Sequence, residues 1–300
     1  MIKKYFDFFI GIDWSGAKGS RHKGISVAMS SRNSNTIKII DPKNNFWSRQ
    51  EVFEYLINLS SQNKIFVGID FAFSYPYIDL NSFFPNLNKG SPKTAKTLWA
   101  LIENINQEYE DFYGGGIWND ETYGDYYNSP VKKGKFFKSR RRLTELIAKK
   151  VRSPSPTFNC VGPAGVGTGT LAGMRFINQI KKNLKEKCHI WPFDQLENLK
   201  LSNIVIAEIF PSFYFHYAGQ NSMSKKGREL ELLSQTLKFY NHNFESNLIL
   251  DRNDNDDMDA IVSCAALKYF VDRQAGLTYP FNSNVIFDAS KLEGWILGVN

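Results

Sequence analysis

Three segments of the chain are runs of strand-forming apolar residues interrupted by one carboxylate near the C-terminal end. They are FFIGID with Asp13, IFVGID with Asp70, and IVIAEI with Glu208. A fourth segment, Asp256-Asp257-Met258-Asp259, opens an apolar helix pattern. A buried ionised carboxylate is costly unless a partner compensates it, and several brought together require a cation. Asp256 and Asp259 are spaced i, i+3, which on a helix places them on one face about 5–6 Å apart, with Asp257 directed elsewhere. These segments predict a catalytic hard-cation site in which Asp13, Asp70 and Glu208 converge and Asp256 and Asp259 of the fourth piece complete the cage.

Each acid also has a plainer reading. An Asp after a strand often caps the following turn. Acids in the first turn of a helix answer its macrodipole, worth about 0.3–1 kcal/mol each. The macrodipole accounts for Asp254 and Asp257. It accounts less well for Asp259, because Ala260, Ile261, Ala265 and Leu267 mark that helix as heavily packed. Gly11 and Gly68, each followed by Ile-Asp, favour the cage: with no side chain there, backbone or ligand can approach closely.

Other residue types narrow the chemistry. Cys160, Cys188 and Cys264 are widely spaced without a C-x-x-C pair, and His22, His189, His216 and His242 form no ligand cluster. That argues against a disulfide framework and a zinc site, and leaves oxygen ligands, hence Mg²⁺ or Mn²⁺. Gly162 and Gly167 have the spacing of a Walker-A loop, but Thr168 stands where its lysine belongs. The stretch through Gly173 therefore reads as a structural loop, although amides beside Thr168 and Thr170 could meet a phosphate.

Charge is localised. Between Lys132 and Arg152 lie ten Lys/Arg residues and one acid, Glu145, a local charge of +9 against +7 for the whole chain, so the remainder carries −2. A near-neutral body with one basic segment fits a polyanion-binding arm, the alternative being a solvated helix face and loop. Arg140, Arg141 and Arg142, with Lys18 after the first carboxylate strand, are candidate substrate-binding residues; for Lys18 the default reading is a solvent-facing turn. No run of about 18 apolar residues is present to span a membrane. The N-terminal MIKKYFDFFIGID lacks a cleavage site and is broken by Asp7 and Asp13, so it reads as a strand of a cytoplasmic protein.

The elements that must position these groups follow from periodicity. Strands are expected at 5–13, 25–30, 36–41, 65–70 and 203–210. A helix is expected from Ser48 to Leu59, opened by the Ser48/Glu51 capping box. Further helices are expected at about 225–240 and from Asp256 to about Phe270. Residues 1–80 and 201–275 form the core, 81–200 a large insertion of loops, basic segment and helix beside it, and 276–300 a cap on the sheet. The composition, 42% hydrophobic and 15% aromatic, suffices for one large core. With the first, fourth and fifth strands parallel, the acids share one sheet edge, where open α/β sheets bind ligands.

At these residues the chain resembles the ribonuclease H-like superfamily, and more narrowly a bacterial and archaeal family of predicted nucleases with that fold. The resembling words are GIDWSGAK, GIDFAFSYP, RRLTE, VGTGTLAGM, IWPFD, AEIFPSF, DDMDAIVSCAAL and EGWILGV, spread over most of the chain. The D-x-x-D-A ending is also similar to the last acidic helix of RuvC-type Holliday-junction resolvases. The resemblance implies a five-stranded mixed α/β sheet in order 3-2-1-4-5 with flanking helices. It also implies two divalent metals, with Asp13 the central first-strand ligand, Asp70 the fourth-strand carboxylate, and Asp256 and Asp259 the last-helix acids. Glu208 departs from the simplest pattern.

The expected activity is two-metal hydrolysis of phosphodiesters in DNA or RNA. Asp13 would bridge the ions, Asp70 hold one, and Asp259, with or without Asp256, the other. Two other classes compete. An actin-like or sugar-kinase-like phosphotransferase or ATPase would also begin its phosphate hairpins with Asp, but Trp14-Ser15-Gly16 offers one glycine and Phe71-Ala72-Phe73 none. A non-catalytic nucleic-acid binder would use the basic segment alone.

Overall fold

The computed structural model describes residues 5–87, 89–162, 165–222, 229–245, 254–273 and 283–300. Its frame is one sheet. Strand β1 (Phe8–Asp13) pairs antiparallel with β2 (Ser26–Ser31), and β2 antiparallel with β3 (Thr36–Ile39). Strand β4 (Ile65–Ile69) lies parallel to β1. Strands β5 (Cys188–Ile190) and β6 (Ile204–Glu208) continue parallel beyond it, and β7 (Asn243–Phe244) pairs parallel with β3 at the opposite edge. The order is β5-β6-β4-β1-β2-β3-β7, seven strands rather than the expected five. The two unforeseen strands span three and two residues. Segments that short carry no period of their own; neighbours recruit them.

Strand parity sorts the side chains into two cores. Ile10, Ile12, Val67, Ile69, Ile204 and Ile206 face one way, onto α1 (Arg49–Ser60), α2 (Ala95–Asn106) and α4 (Gly167–Leu184). Phe9, Phe66, Val205 and Ala207 face the other way, where α7 (Asp254–Arg273) lies across β1 and β2, backed by α5 (Pro211–Tyr217) and α6 (Glu229–Phe239). Helix α7 is covered from several sides, which is why Ala260, Ile261, Val262, Cys264, Ala265, Ala266 and Leu267 are all buried; a helix apolar all round belongs in a core. The Ser48/Glu51 capping box at the start of α1 forms as expected.

The 81–200 segment is built into this frame. It supplies α2 and α4, which cover a whole face, and the edge strand β5. Helices α3 (Leu143–Ala148) and α8 (Asn284–Glu293) pack together, and the tail after α8 returns to the sheet: Leu297 N–H donates to the Glu208 carbonyl at 3.0 Å. The expected helix start at 225–228 and the first part of the cap, 276–282, lie outside the described residues, as do Pro163 and Ala164 of the glycine stretch. Among the described residues, no helix is long and apolar enough to cross a membrane.

Candidate active site

Register decides which acids can meet. Ile12 pairs with Ile69, and Ile69 with Glu208. Asp13 and Asp70 each stand one position further on, with Asp70 N–H donating to the Ile12 carbonyl at 3.0 Å. Successive side chains alternate faces. Asp13 and Asp70 are therefore in phase with Phe9 and Phe66, on the α7 side, and Glu208 is in phase with Ile69, on the other.

The glycine two residues before each aspartate lets α7 come down onto the sheet. A Cβ at Gly11 would lie 2.3 Å from the Ala260 carbonyl oxygen and 2.5 Å from the Cys264 nitrogen. A Cβ at Gly68 would meet Ile209 Cγ2 at 2.4 Å and Leu267 Cδ2 at 2.9 Å. The first turn of α7 is pinned as well, because Ser26 Oγ donates to Asp257 Oδ1 at 2.6 Å. Ser26 is the residue opposite Asp13 on β2. Asp256 leans toward the β1–β2 turn, its Oδ2 3.8 Å from where a Cβ at Gly24 would sit.

The outcome is electrostatic. Burial, then the charges of Asp259, Asp70 and Asp256, push the Asp13 carboxyl well above the usual carboxylate range; only a hydrogen bond from the Trp14 backbone N–H pulls the other way. Three of the carboxylates expected to meet thus act on a fourth, Asp13. Among the described residues, no group of three or more His, Cys, Asp or Glu is placed so that it could hold a metal ion. The chemistry of these four aspartates fits a hard divalent ion: the set is all carboxylate oxygen, and Asp13, raised by burial first, is raised further by three neighbouring negative charges.

Glu208 is engaged elsewhere. Arg142 Nη1 donates to its Oε2 at 2.7 Å and Arg142 Nη2 to its Oε1 at 2.5 Å, and the Phe73 backbone N–H donates to Oε2 at 3.1 Å. Arg142 Nε also donates to Glu145 Oε1 at 2.8 Å, and Arg142 Nη1 to the Glu293 carbonyl at 3.0 Å. Glu293 in turn accepts from the Leu143, Tyr77 and Ile78 backbone N–H groups. Burial alone would lower the Arg142 pKa, but Glu208 and Glu145 raise it above its ordinary value, so the guanidinium stays charged. Burial raises the Glu145 pKa despite Arg142. The cation that Glu208 requires is therefore a side chain of the protein.

The basic segment is corrected in the same way. Arg140 is buried: Nε and Nη2 donate to Asp79 at 2.9 and 2.6 Å, and further bonds reach the Phe83, Pro76 and Ser82 carbonyls. Arg141 is half-buried and donates to the Pro154 carbonyl. Neither Arg140 nor Arg142 is left to bind a polyanion, because each neutralises buried acids or satisfies buried carbonyls. Lys18 is exposed on the β1–β2 turn.

Sequence reading missed the brace under that turn. Arg49 Nη1 donates to the Ser15 carbonyl at 2.7 Å and the Ala17 carbonyl at 3.1 Å, and its Nε to the Asp111 carbonyl at 2.5 Å. Asp111 Oδ2 lies 2.7 Å from His22 Nε2. Burial lowers the Arg49 pKa to about 10, with Asp111 opposing it. Asp111 and Phe112 both adopt left-handed backbone, φ 48° and 57°. A bulky residue there is strained and persists only where its surroundings hold it. No spacing motif joins positions 22, 49 and 111, so sequence gave no signal.

Beside Asp70 a cleft of about 400 Å³ opens at the carboxyl edge of the sheet. It is bounded by the segments after β1, β4 and β6 (Trp14–Ala17, Asp70–Ala72, Glu208–Phe210) and by the start of α4. Gly16 packs against that start: a Cβ on it would lie 2.1 Å from the Thr168 carbonyl carbon. The glycine stretch is thus a packing surface for the β1–β2 turn. No family model matches the chain, and no curated protein or solved structure matches it.

Proposed function

We propose that the protein is a Mg²⁺- or Mn²⁺-dependent nuclease of ribonuclease H-like architecture, hydrolysing phosphodiester bonds with two metal ions. The observation that carries this reading is geometric: Asp13 and Asp70 end two parallel strands on the sheet face against which the first turn of α7, with Asp256 and Asp259, is packed and pinned. The inner strands β3-β2-β1-β4-β6, with β1, β4 and β6 parallel and β2 antiparallel to its neighbours, support the architecture. The sequence words quoted above support the family.

In this reading Asp13, Asp70, Asp256 and Asp259 hold the ions, and Glu208 does not. Bound ions of this kind neutralise phosphate charge and acidify a water. The protein's own part is positioning. The Trp14 backbone N–H orients Asp13, Ser26 fixes the first turn of α7 through Asp257, and Arg49 holds the turn that follows Asp13.

The test is cleavage of labelled DNA and RNA oligonucleotides with Mg²⁺ or Mn²⁺, comparing wild type with Asp13→Asn and Asp259→Asn. Each substitution is expected to lower the rate by more than the roughly 10–100-fold typical of losing an outer-shell partner. Cleavage at the wild-type rate by both variants would overturn the assignment.

A further inference from the structure

The cleft beside Asp70 differs in character from the carboxylate cluster it adjoins. Its apolar wall is formed by Trp14, Phe71, Pro154, Ile209, Phe210 and Ile296, with the carboxylates Asp70, Glu145 and Glu208 beside it. Arg142 is the one cation among the described residues that line it, and its guanidinium is already given to Glu208 and Glu145. A phosphate would find no free positive side chain there. A flat, uncharged ring would find the half-buried Phe210 and the edges of the more deeply buried Trp14 and Phe71, aromatic groups of the kind on which nucleobases stack with little regard to sequence.

The rim carries small polar groups, Ser15, Ser155 and Thr168. Two wall side chains, Trp14 and Thr157, are more than nine-tenths buried, and the Trp14 indole N–H and Thr157 hydroxyl have no partner among the described residues. Buried polar groups are ordinarily satisfied, so an unmet donor at a cleft wall is a place for a ligand acceptor. A volume of about 400 Å³ is at the small end of ligand sites. It holds one nucleoside and excludes a base-paired duplex.

We infer that this cleft takes the base of a single unpaired nucleotide whose phosphate lies over the aspartates. The substrate is then a strand end or an extruded nucleotide rather than the interior of a duplex. The inference rests on the nuclease reading and adds the class of nucleic acid to it. Extrusion of a base costs least where it is already unpaired, which fits a site that offers stacking but no duplex groove.

The test reads the cleft directly, on the full chain. The chain has six tryptophans, and the Trp14 indole N–H signal in a ¹H–¹⁵N spectrum is identified by its loss in Trp14→Phe. Titration with AMP or dAMP is expected to move that signal saturably, while inorganic phosphate leaves it in place. Ser155→Trp, which fills the cleft from its rim, should weaken the nucleotide by roughly tenfold or more, the scale of a lost base–aromatic stack. A Trp14 signal unmoved by both nucleotides, moved equally by phosphate, or moved with unchanged affinity in Ser155→Trp would overturn the inference. In the Mn²⁺ cleavage assay, single strands and overhangs should be cut at least tenfold faster than blunt duplex, and equal rates would contradict it. A wild-type chain that cleaves no substrate with Mn²⁺ while its nucleotide response is intact would instead count against the nuclease reading, so the two failures are distinguishable.

Discussion

Gly11 of β1 and Ala260 of α7 are in backbone contact: a Cβ on Gly11 would stand 2.3 Å from the Ala260 carbonyl oxygen. This contact brings the aspartate immediately before Ala260 to the aspartate two residues after Gly11. Gly11→Ala therefore forces the helix off the strand. The expected cost is about 3 kcal/mol, the upper part of the range for overpacking. Gly68→Ala meets the tips of Ile209 and Leu267 side chains, which can yield, and should cost about 1 kcal/mol. Urea unfolding of both variants checks the order; Gly68→Ala as the costlier one would refute it.

The pH dependence follows from Asp13. Its folded-state pKa is raised, by burial first and then by the neighbouring acids. The stability tied to its neutral form is fully present below the unfolded carboxylate pKa and is lost as pH rises through the folded value. In metal-free protein, Asp13→Asn should melt higher than wild type at pH 7, and the gap should shrink as pH falls toward 4. A gap independent of pH would show that Asp13 carries no unfavourable charge. Saturating Mn²⁺ should reverse the order, because ligands bound only by the native state stabilise it.

Arg142 and Glu208 predict an asymmetric pair of variants. Arg142→Met leaves Glu208 and Glu145 buried without their cation and should cost about 3–5 kcal/mol. Glu208→Gln keeps the shape, costs less, and should leave Mn²⁺ affinity unchanged within twofold. A tenfold weaker Mn²⁺ affinity in Glu208→Gln would make Glu208 a ligand after all.

How far the sequence could be read is seen in these same residues. The two Gly-Ile-Asp strands, the acid-opened helix and the Ser48/Glu51 cap were legible because each is a local pattern with a fixed period or spacing. Glu208 looked equivalent to Asp13 and Asp70 because a lone strand shows only that a carboxylate is present. Which face it takes depends on register with β4, a long-range property. Arg140 and Arg142 looked like part of a solvated basic arm for a related reason. Their partners Asp79, Glu208 and Glu293 are between 61 and 151 residues away in the chain, and no local window contains both ends. Strands β5 and β7 were too short to have a period.

The basic segment yields a further prediction. Lys132 and Lys135 pair with Asp125 at 2.6 and 3.2 Å, while Lys133, Lys138, Lys149 and Lys150 are exposed. Alanine at Lys149 and Lys150 together should reduce the slope of log affinity against log salt for single-stranded nucleic acid by about 1.4, at about 0.7 per contact. Arg140→Ala should instead lower folding stability. An Arg140→Ala protein with wild-type stability and a shallower salt slope would restore that arginine to the binding surface.

The most direct test of the central claim is anomalous scattering from crystals soaked in Mn²⁺. The account predicts density within coordination distance of Asp13, shared with Asp70 and with Asp256 or Asp259, and none on Glu208. Manganese bound only elsewhere, with the Asp13 carboxylate turned to backbone amides, would contradict it.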